Sequence, residues 1–442
     1  MIDTANSADP RSLTVAVVGL GKIGLPLAAQ FARHAGAVIG CDINPQVAEA
    51  VSAGACPIGE EPGLPERVAA AVDAGRLRAT THTAEAVAES NVVVIIVPLL
   101  VDETGAVDYR MVDSATRDVA RGLQPGTLVI YETTLPVGTT RTRLGPLLEA
   151  GSGLRMGRDF LLAFSPERVY SGRIFQDLAT YPKIVGGIDA PSTAAAVAFY
   201  RRMLNHAAIR AVQDAETAEL VKLLETTYRD VNIALASEFA RYAAERGLPI
   251  DEAIAAANTQ PYSHIHRPGI GVGGHCIPVY PYFLINDDPA GHLTLPRAAR
   301  QANDGMAAWA LSQLGAVLGG LAGRQILILG YSYRENVKET AFTTAKLLIR
   351  DLQAAEARPL IMDPLYTLEE LAASGATPLP PSETPPVDAV IVQAYHAAFS
   401  TLDWAAFAGQ GCRVVLDGRN ILDPETQAAI RAAGMTYLGI GR

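Results

Sequence analysis

The feature that most constrains this chain is a glycine pattern set between two different periodicities. Leu13–Val18 is a short β-branched run ending in Gly19-Leu20-Gly21-Lys22-Ile23-Gly24. Apolar residues at helical spacing follow (Leu27, Ala28, Phe31, Ala32), then a second strand, Ala37–Gly40, ending at Cys41-Asp42. Strand, glycine turn, helix and strand form a βαβ unit of the dinucleotide-binding kind. The glycines permit a tight turn, close approach of backbone to a pyrophosphate, and helix–strand packing. The helix N-terminus adds partial positive charge, and an acid at the next strand's end accepts from a ribose diol. Glycines alone say little in a chain with 39 of them, but Asp42 stands eighteen residues after the third. Its carboxylate favours NAD and would repel the 2′-phosphate of NADP. The plainer alternative is a domain of this fold that has lost its cofactor.

The rest of the chain predicts an α/β architecture. Strand-like runs at Val92–Val97, Thr127–Tyr131, Phe160–Phe164 and Ile184–Val185 alternate with alanine-rich helical stretches, which reads as a parallel, doubly wound sheet. From about Asp214 to Arg246 there is no glycine or proline, and a 3.6 period runs through Leu220, Leu223, Leu224, Tyr228, Val231 and Leu235. A long helix closed by Gly247 and Pro249 is expected, serving as connector and oligomer interface. A loop rich in Pro, His and Gly (Gln260–Pro281) precedes a helical stretch from Leu295 to about Leu321. A second α/β pattern then begins: strand Gln325–Leu329, helix Thr343–Ala354, strand Arg358–Met362, and later strands Ala389–Val392 and Arg413–Leu416. The expected fold is two Rossmann-like doubly wound domains joined by a long central helix and a helical domain. Its divisions are an N-terminal NAD-binding domain over 1–209, a central helical domain with the cysteine loop over 210–313, and a C-terminal nucleotide-sugar-binding domain over 314–442.

At 442 residues, 49% hydrophobic and 19% charged, the chain has the composition of a folded, multidomain protein. Its net charge is −10 and it has no Lys/Arg run able to track a phosphate backbone, so nucleic acid is excluded as a partner. Cys41, Cys56, Cys276 and Cys412 are scattered, which argues against a disulfide framework. Met1–Arg11 carries Asp3 and Asp9 and lacks the apolar core of a signal peptide, and no apolar run reaches the ~20 residues of a membrane span. A cytoplasmic enzyme without membrane contact is expected.

The second chemical motif is Gly269-Ile-Gly271-Val-Gly273-Gly274-His275-Cys276-Ile277-Pro278. Glycines crowded before a cysteine let a ligand approach the backbone and the sulfur. A thiolate can trap an aldehyde as a thiohemiacetal, which a second hydride transfer turns into a thioester. The plainer reading is a buried cysteine acting as a small hydrophobe. A zinc cluster of His264, His266, His275 and Cys276 is a rival, without a second ligand pair at finger-like spacing to support it. No resident metal is expected.

Across both halves and the connector, the sequence resembles the UDP-glucose/GDP-mannose dehydrogenases. The resemblance rests on Val17-Val-Gly-Leu-Gly-Lys-Ile-Gly-Leu-Pro26, Glu132-Thr-Thr-Leu-Pro-Val-Gly138, Phe164-Ser-Pro-Glu167-Arg168, Val221-Lys222-Leu223 with Tyr228-Arg-Asp-Val231, and the Gly-Gly-His-Cys-Ile-Pro block. That last form is similar to the branch acting on UDP-N-acetylmannosamine or UDP-N-acetylglucosamine. The resemblance implies Cys276 as nucleophile and Lys222 as the cation that stabilises negative charge on the C6 oxygen. It implies Thr134 as a residue positioning water and Glu167 as general base in thioester hydrolysis. Lys22, Ile23, Pro98 and Thr134 join Gly19, Gly21, Gly24 and Asp42 around the cofactor. Glu167, Arg168, Lys222, Gly273, Gly274, Arg334 and Arg419 face the substrate, the arginines suiting phosphate oxygens. The resemblance implies a homodimer or higher homo-oligomer, in which the loop arginine, here Arg267, reaches the neighbouring active site.

Two positions depart from the family pattern. Thr226 stands where an asparagine is usual, and Tyr280 where an aspartate is usual. Both belong to the catalytic set, and tyrosine cannot act as a carboxylate base at neutral pH. The expected activity is NAD-dependent oxidation of the C6 hydroxyl of a UDP-sugar, best matched by UDP-N-acetyl-D-mannosamine, to the uronate. UDP-N-acetylglucosamine, UDP-glucose, an NAD-retaining nucleotide-sugar epimerase and a non-catalytic binder are the alternatives.

Overall fold

The computed structural model describes residues 13–58, 61–102, 105–204 and 208–442; the Met1–Arg11 stretch read above lies outside them. The chain divides into two units. One runs through Glu225 and includes Tyr282–Pro289, and the other comprises Thr226–Pro281 and Ala290–Arg442.

The first unit is built on an eight-stranded sheet. Its order is Ile209–Ala211, Lys183–Gly187, Leu161–Phe164, Leu128–Tyr131, Val92–Ile95, Thr14–Val18, Ala37–Cys41, Leu77–Thr80. Thr14–Val18 pairs in parallel with Ala37–Cys41 on one side and with Val92–Ile95 on the other, so strand order reverses at that junction. Val92–Ile95 and Leu128–Tyr131 are buried throughout, as strands covered on both faces must be. The core gathers Val15, Val17, Leu27, Phe31, Ile130, Phe199 and Tyr200.

The parallel reading requires one correction. Lys183–Gly187 pairs antiparallel with Leu161–Phe164, and Ile209–Ala211 follows Lys183–Gly187 in parallel. The chain leaves Phe164 at the carboxyl end of the parallel strands, makes the short helix Ile174–Thr180, and re-enters the sheet from that same end at Lys183. No crossover to the far end intervenes, so the strand must run backwards. Lys183 is thereby placed at the carboxyl edge, where ligands bind in sheets of this kind.

The long helix is Ala215–Ala244, thirty residues. The Asp214 carboxylate caps it, accepting from the Thr217 amide at 2.8 Å. Gly247 ends the run in the left-handed region at φ 62°.

In the second unit the helical stretch expected from Leu295 is two helices, Thr294–Asp304 and Met306–Leu318, divided at Gly305. Its sheet is parallel throughout, in the order Thr377–Pro378, Arg358–Met362, Gln325–Leu329, Ala389–Val392, Val414–Asp417, Thr436–Gly439. Taken in chain order this is 3-2-1-4-5-6, the doubly wound arrangement. Thr377–Pro378 and Thr436–Gly439 escaped the sequence reading because one has two residues and the other begins polar. Among the described residues no helix is long and apolar enough to cross a membrane.

Candidate functional site

In the first unit the glycine turn lies where strand order reverses. Gly19 adopts φ 97°, and a Cβ there would sit 2.7 Å from the Ile96 carbonyl oxygen. A Cβ on Gly24 would lie 1.8 Å from the Gly19 oxygen, so the helix Gly24–Phe31 can pack on the turn only without one. Gly21 differs: a Cβ there would meet nothing within 4 Å. Its missing side chain leaves room that the protein does not fill, as an approaching pyrophosphate requires. No side chain caps the start of Gly24–Phe31, whose positive end faces the open space at Gly21, while the Leu25 amide donates to the Gly21 carbonyl at 3.2 Å. These residues therefore fit NAD. Asp42 does two jobs, since its Oδ2 accepts from the Leu20 amide and its Oδ1 from the Asn44 amide, each at 2.9 Å. Lys22 and Ile23 are half-buried in the turn, and Pro98 is exposed past the end of Val92–Ile95.

Thr134 is buried in the Glu132–Gly138 loop. That loop is pinned by Glu219, one helical turn before Lys222, whose carboxylate accepts from the Gly138 amide, the Thr140 amide (2.9 Å) and the Thr140 hydroxyl (2.6 Å). Burial pushes Glu219 up to about 7.

Glu167 follows the strand Leu161–Phe164. Its Oε1 accepts from the amides of Arg168 (2.6 Å) and Val169 (3.2 Å), and its Oε2 from Lys183 Nζ at 2.8 Å. Lys183 Nζ also donates to Glu132 Oε2 at 2.8 Å, and the Tyr200 hydroxyl donates to the other Glu132 oxygen. Glu132, Lys183 and Tyr200 are all buried. Burial pushes Glu132 up to about 7, whereas Lys183 and the backbone donors hold Glu167 below its ordinary value despite its own burial. Lys222 Nζ donates to the Glu167 carbonyl oxygen at 2.7 Å, and Arg168 pairs with Glu225. Thus Lys222 and Glu167 do come together, through a backbone carbonyl and not through an ion pair. Sequence reasoning passed over Lys183; its signal was a lone lysine opening a strand of Ile, Val and Gly.

The second unit carries Cys276, free and half-buried. The Cys276 carbonyl accepts from the amides of Val279 (3.2 Å) and Tyr280 (2.9 Å), closing a tight turn after the sulfur-bearing residue. The room left by its glycines is taken by protein. A Cβ on Gly273 would lie 2.6 Å from Tyr333 Cβ, and one on Gly274 3.1 Å from the Tyr333 ring. Their absence seats the cysteine loop on the Tyr333 segment, with the Gly274 amide donating to Ala341 O at 2.8 Å. Arg419 braces the same loop: Nη1 donates to Gly271 O at 2.7 Å, Nε to Gln393 O at 3.0 Å, and Nη2 to Gln393 Oε1 at 2.8 Å. Its guanidinium is thus largely spent on the protein, and burial holds it down to about 10. Arg334 lies with its guanidinium carbon 5.8 Å from the Tyr333 ring centre, and Arg267 is exposed. Thr226 is buried and Tyr280 half-buried. His275 Nε2 faces Glu339 Oε2 at 3.1 Å, and among the described residues no three His, Cys, Asp or Glu side chains converge as a metal site would require.

Asp230, inside the Tyr228–Val231 motif, has a structural task. Its Oδ1 accepts from Arg300 Nη1 at 2.6 Å and from Asn303 Nδ2 at 2.8 Å, tying the long helix to Thr294–Asp304.

Residues 13–204 match the UDP-glucose/GDP-mannose dehydrogenase family, NAD binding domain; 216–305 match its central domain; 327–424 match its UDP binding domain. A UDP-N-acetyl-D-mannosamine dehydrogenase from Pyrococcus horikoshii is 35% identical over 442 residues, covering 97% of this chain and 99% of that one. One from Salmonella typhimurium is 38% identical over 311 residues, covering 69% of this chain and 72% of the other. The solved UDP-D-ManNAc dehydrogenase of Pyrococcus horikoshii superposes with a TM-score of 0.86 at 34% identity, covering 97% of this chain and 99% of that one. A UDP-glucose dehydrogenase from Pyrobaculum islandicum gives 0.84 at 26% identity, covering 97% and 98%.

Proposed function

The chain belongs to the UDP-glucose/GDP-mannose dehydrogenase family and is an NAD-dependent oxidoreductase of nucleotide sugars, and from that premise we propose that it oxidises C6 of UDP-N-acetyl-D-mannosamine to the uronate. The observation that carries the choice of sugar is the near full-length match to a dehydrogenase of that name, 35% identical over 97% of this chain.

NAD, held at the Gly19–Gly24 turn and Asp42, supplies the hydride acceptor for each of two oxidations. Lys222, steadied by the Glu167 carbonyl, stabilises the developing C6 alkoxide. The Cys276 sulfur adds to the aldehyde carbon and holds it as a thiohemiacetal, which becomes the thioester by losing its C6 hydride to the nicotinamide and its hydroxyl proton to solvent. Glu167 is ionised and has three donors on its two oxygens, so about one acceptor site remains for the hydrolytic water. Thr134 is the threonine that positions water, and Thr226 offers a hydroxyl in place of the usual amide. With Tyr280 where a carboxylate is customary, water activation falls to Glu167.

We assign the working form as a homodimer paired along Ala215–Ala244. Leu224, Tyr228, Leu235, Phe239 and Tyr242 on that helix are 55%, 58%, 41%, 41% and 57% exposed. At about 100° per residue they fall within an arc of roughly 60°, a single apolar stripe. All four cysteines are free, which accords with a reducing, cytoplasmic setting.

The test is NADH release across a panel of UDP- and GDP-sugars. UDP-N-acetyl-D-mannosamine is expected to give the highest kcat/KM, with two NADH per sugar. A preference for UDP-glucose would overturn the choice of sugar. One NADH with free aldehyde would show that Thr226 and Tyr280 have cut the reaction short.

A further inference from the structure

In the buried Lys183–Glu132–Tyr200 cluster only Glu132 lies in a family motif, and the cluster grips Glu167, whose carbonyl accepts from Lys222. We propose that Lys183 is a positioning residue that, held by Glu132 and Tyr200, fixes the Glu167 peptide and thereby aims the Lys222 ammonium and keeps the Glu167 carboxylate ionised. This rests on the reading of Lys222 and Glu167 as groups of the reacting site.

The geometry leaves the Glu167 turn little freedom. Its carboxylate folds back on the amides of residues 168 and 169, while Lys183 ties the other oxygen to the carboxyl edge of the sheet. Each anchor of Lys183 lies on a separate element. Glu132 follows the strand Leu128–Tyr131, and Tyr200 sits on the helix Ala190–Met203 with its ring centre 4.9 Å from Nζ. A salt link buried to this degree is a costly way to gain stability alone, since desolvation offsets much of the attraction. It is an effective way to hold one peptide in one place at the edge where the ligand arrives. With one cation between two carboxylates, any proton taken by Glu132 hands the full attraction of Lys183 to Glu167. The charged and titratable groups facing Glu167 among the described residues are Lys183, Glu132 and Lys222, with Tyr200 behind Glu132 and Arg168 paired to Glu225.

The experiment compares pH profiles of kcat, KM for both substrates and thermal unfolding for the full-length enzyme and for Lys183→Met, Lys183→Arg and Tyr200→Phe. Lys183→Met removes the positive charge, so Glu167 ionises less readily. Its acid limb should move up by about one pH unit, tenfold in proton affinity, and kcat should fall by about tenfold or more with KM for NAD little changed. Lys183→Arg should restore most of kcat. Tyr200→Phe removes a donor from Glu132, favours its protonation, and should move the acid limb the opposite way. If Lys183→Met does not fold, the downward shift in Tyr200→Phe carries the test. A fall in activity with an unmoved acid limb in these variants would reduce the cluster to a structural role and overturn the proposal. Lys222→Ala serves as the control for the underlying reading: if it stays fully active, the site assignment itself fails, whatever Lys183 does.

Discussion

Replacing Arg300 by methionine is expected to destabilise the second unit by an amount that depends steeply on pH, because the side chain it abandons can escape by taking a proton. The Arg300 and Asp230 side chains are 4% and 0% exposed. Even with its partner present, burial pushes Asp230 up to about 6 from an ordinary 3.8. That difference, about two pH units, means that ionising Asp230 in the folded state costs roughly 3 kcal/mol more than in the unfolded chain. Without Arg300 the folded value rises further. At about pH 5 both proteins hold Asp230 protonated, and the variant loses mainly packing and the hydrogen bonds of Arg300 to Asp230 and Asp304, about 1–2 kcal/mol. Above pH 6 the wild type ionises with Arg300 opposite, whereas the variant must hold its proton or bury a lone charge. The folded variant then binds more protons than its unfolded chain, so its stability falls as pH rises, by up to about 1.4 kcal/mol per pH unit relative to wild type. At about pH 8 the deficit should reach roughly 3–5 kcal/mol, the range for a broken buried pair. Urea unfolding of both proteins at the two pH values measures the difference, in which titrating groups away from Arg300 cancel. An equal deficit at both would refute the reasoning, since it would mean that Asp230 does not titrate in the fold.

Two further outcomes follow from the geometry. Gly21→Ala should fold with wild-type thermal stability yet bind NAD at least about tenfold more weakly by fluorescence titration, whereas Gly24→Ala, whose Cβ would lie 1.8 Å from the Gly19 oxygen, should lose stability outright; equal behaviour of the two would show that the open space at Gly21 is not the cofactor's. Leu235→Asp on the exposed stripe should convert the dimer to monomer in sedimentation at micromolar concentration, because a charge would have to be buried in an apolar interface; an unchanged mass would move the interface elsewhere.

Much of this molecule was legible in the order of its residues, for reasons of local physics. Gly19, Gly21 and Gly24 between a β-branched run and a helical period point to a βαβ turn, because at Gly19 and Gly24 only backbone without Cβ passes through it and at Gly21 the missing side chain leaves open space. Thirty helical residues without glycine or proline, opened by Asp214 and closed by Gly247, announce themselves through caps and period. The antiparallel return of Lys183–Gly187 did not announce itself, because strand direction is set by which end of the sheet the chain re-enters. That return is what brings Lys183 to Glu132 and Glu167, residues 51 and 16 positions away. Likewise Arg419 matched a substrate-binding position as a residue type, and only tertiary packing gave its donors to Gly271 and Gln393. Residue identity determines which groups can hold charge or admit a ligand, whereas the long-range placement of strands decides which buried charges meet, since a desolvated ion must find its partner wherever the fold provides one.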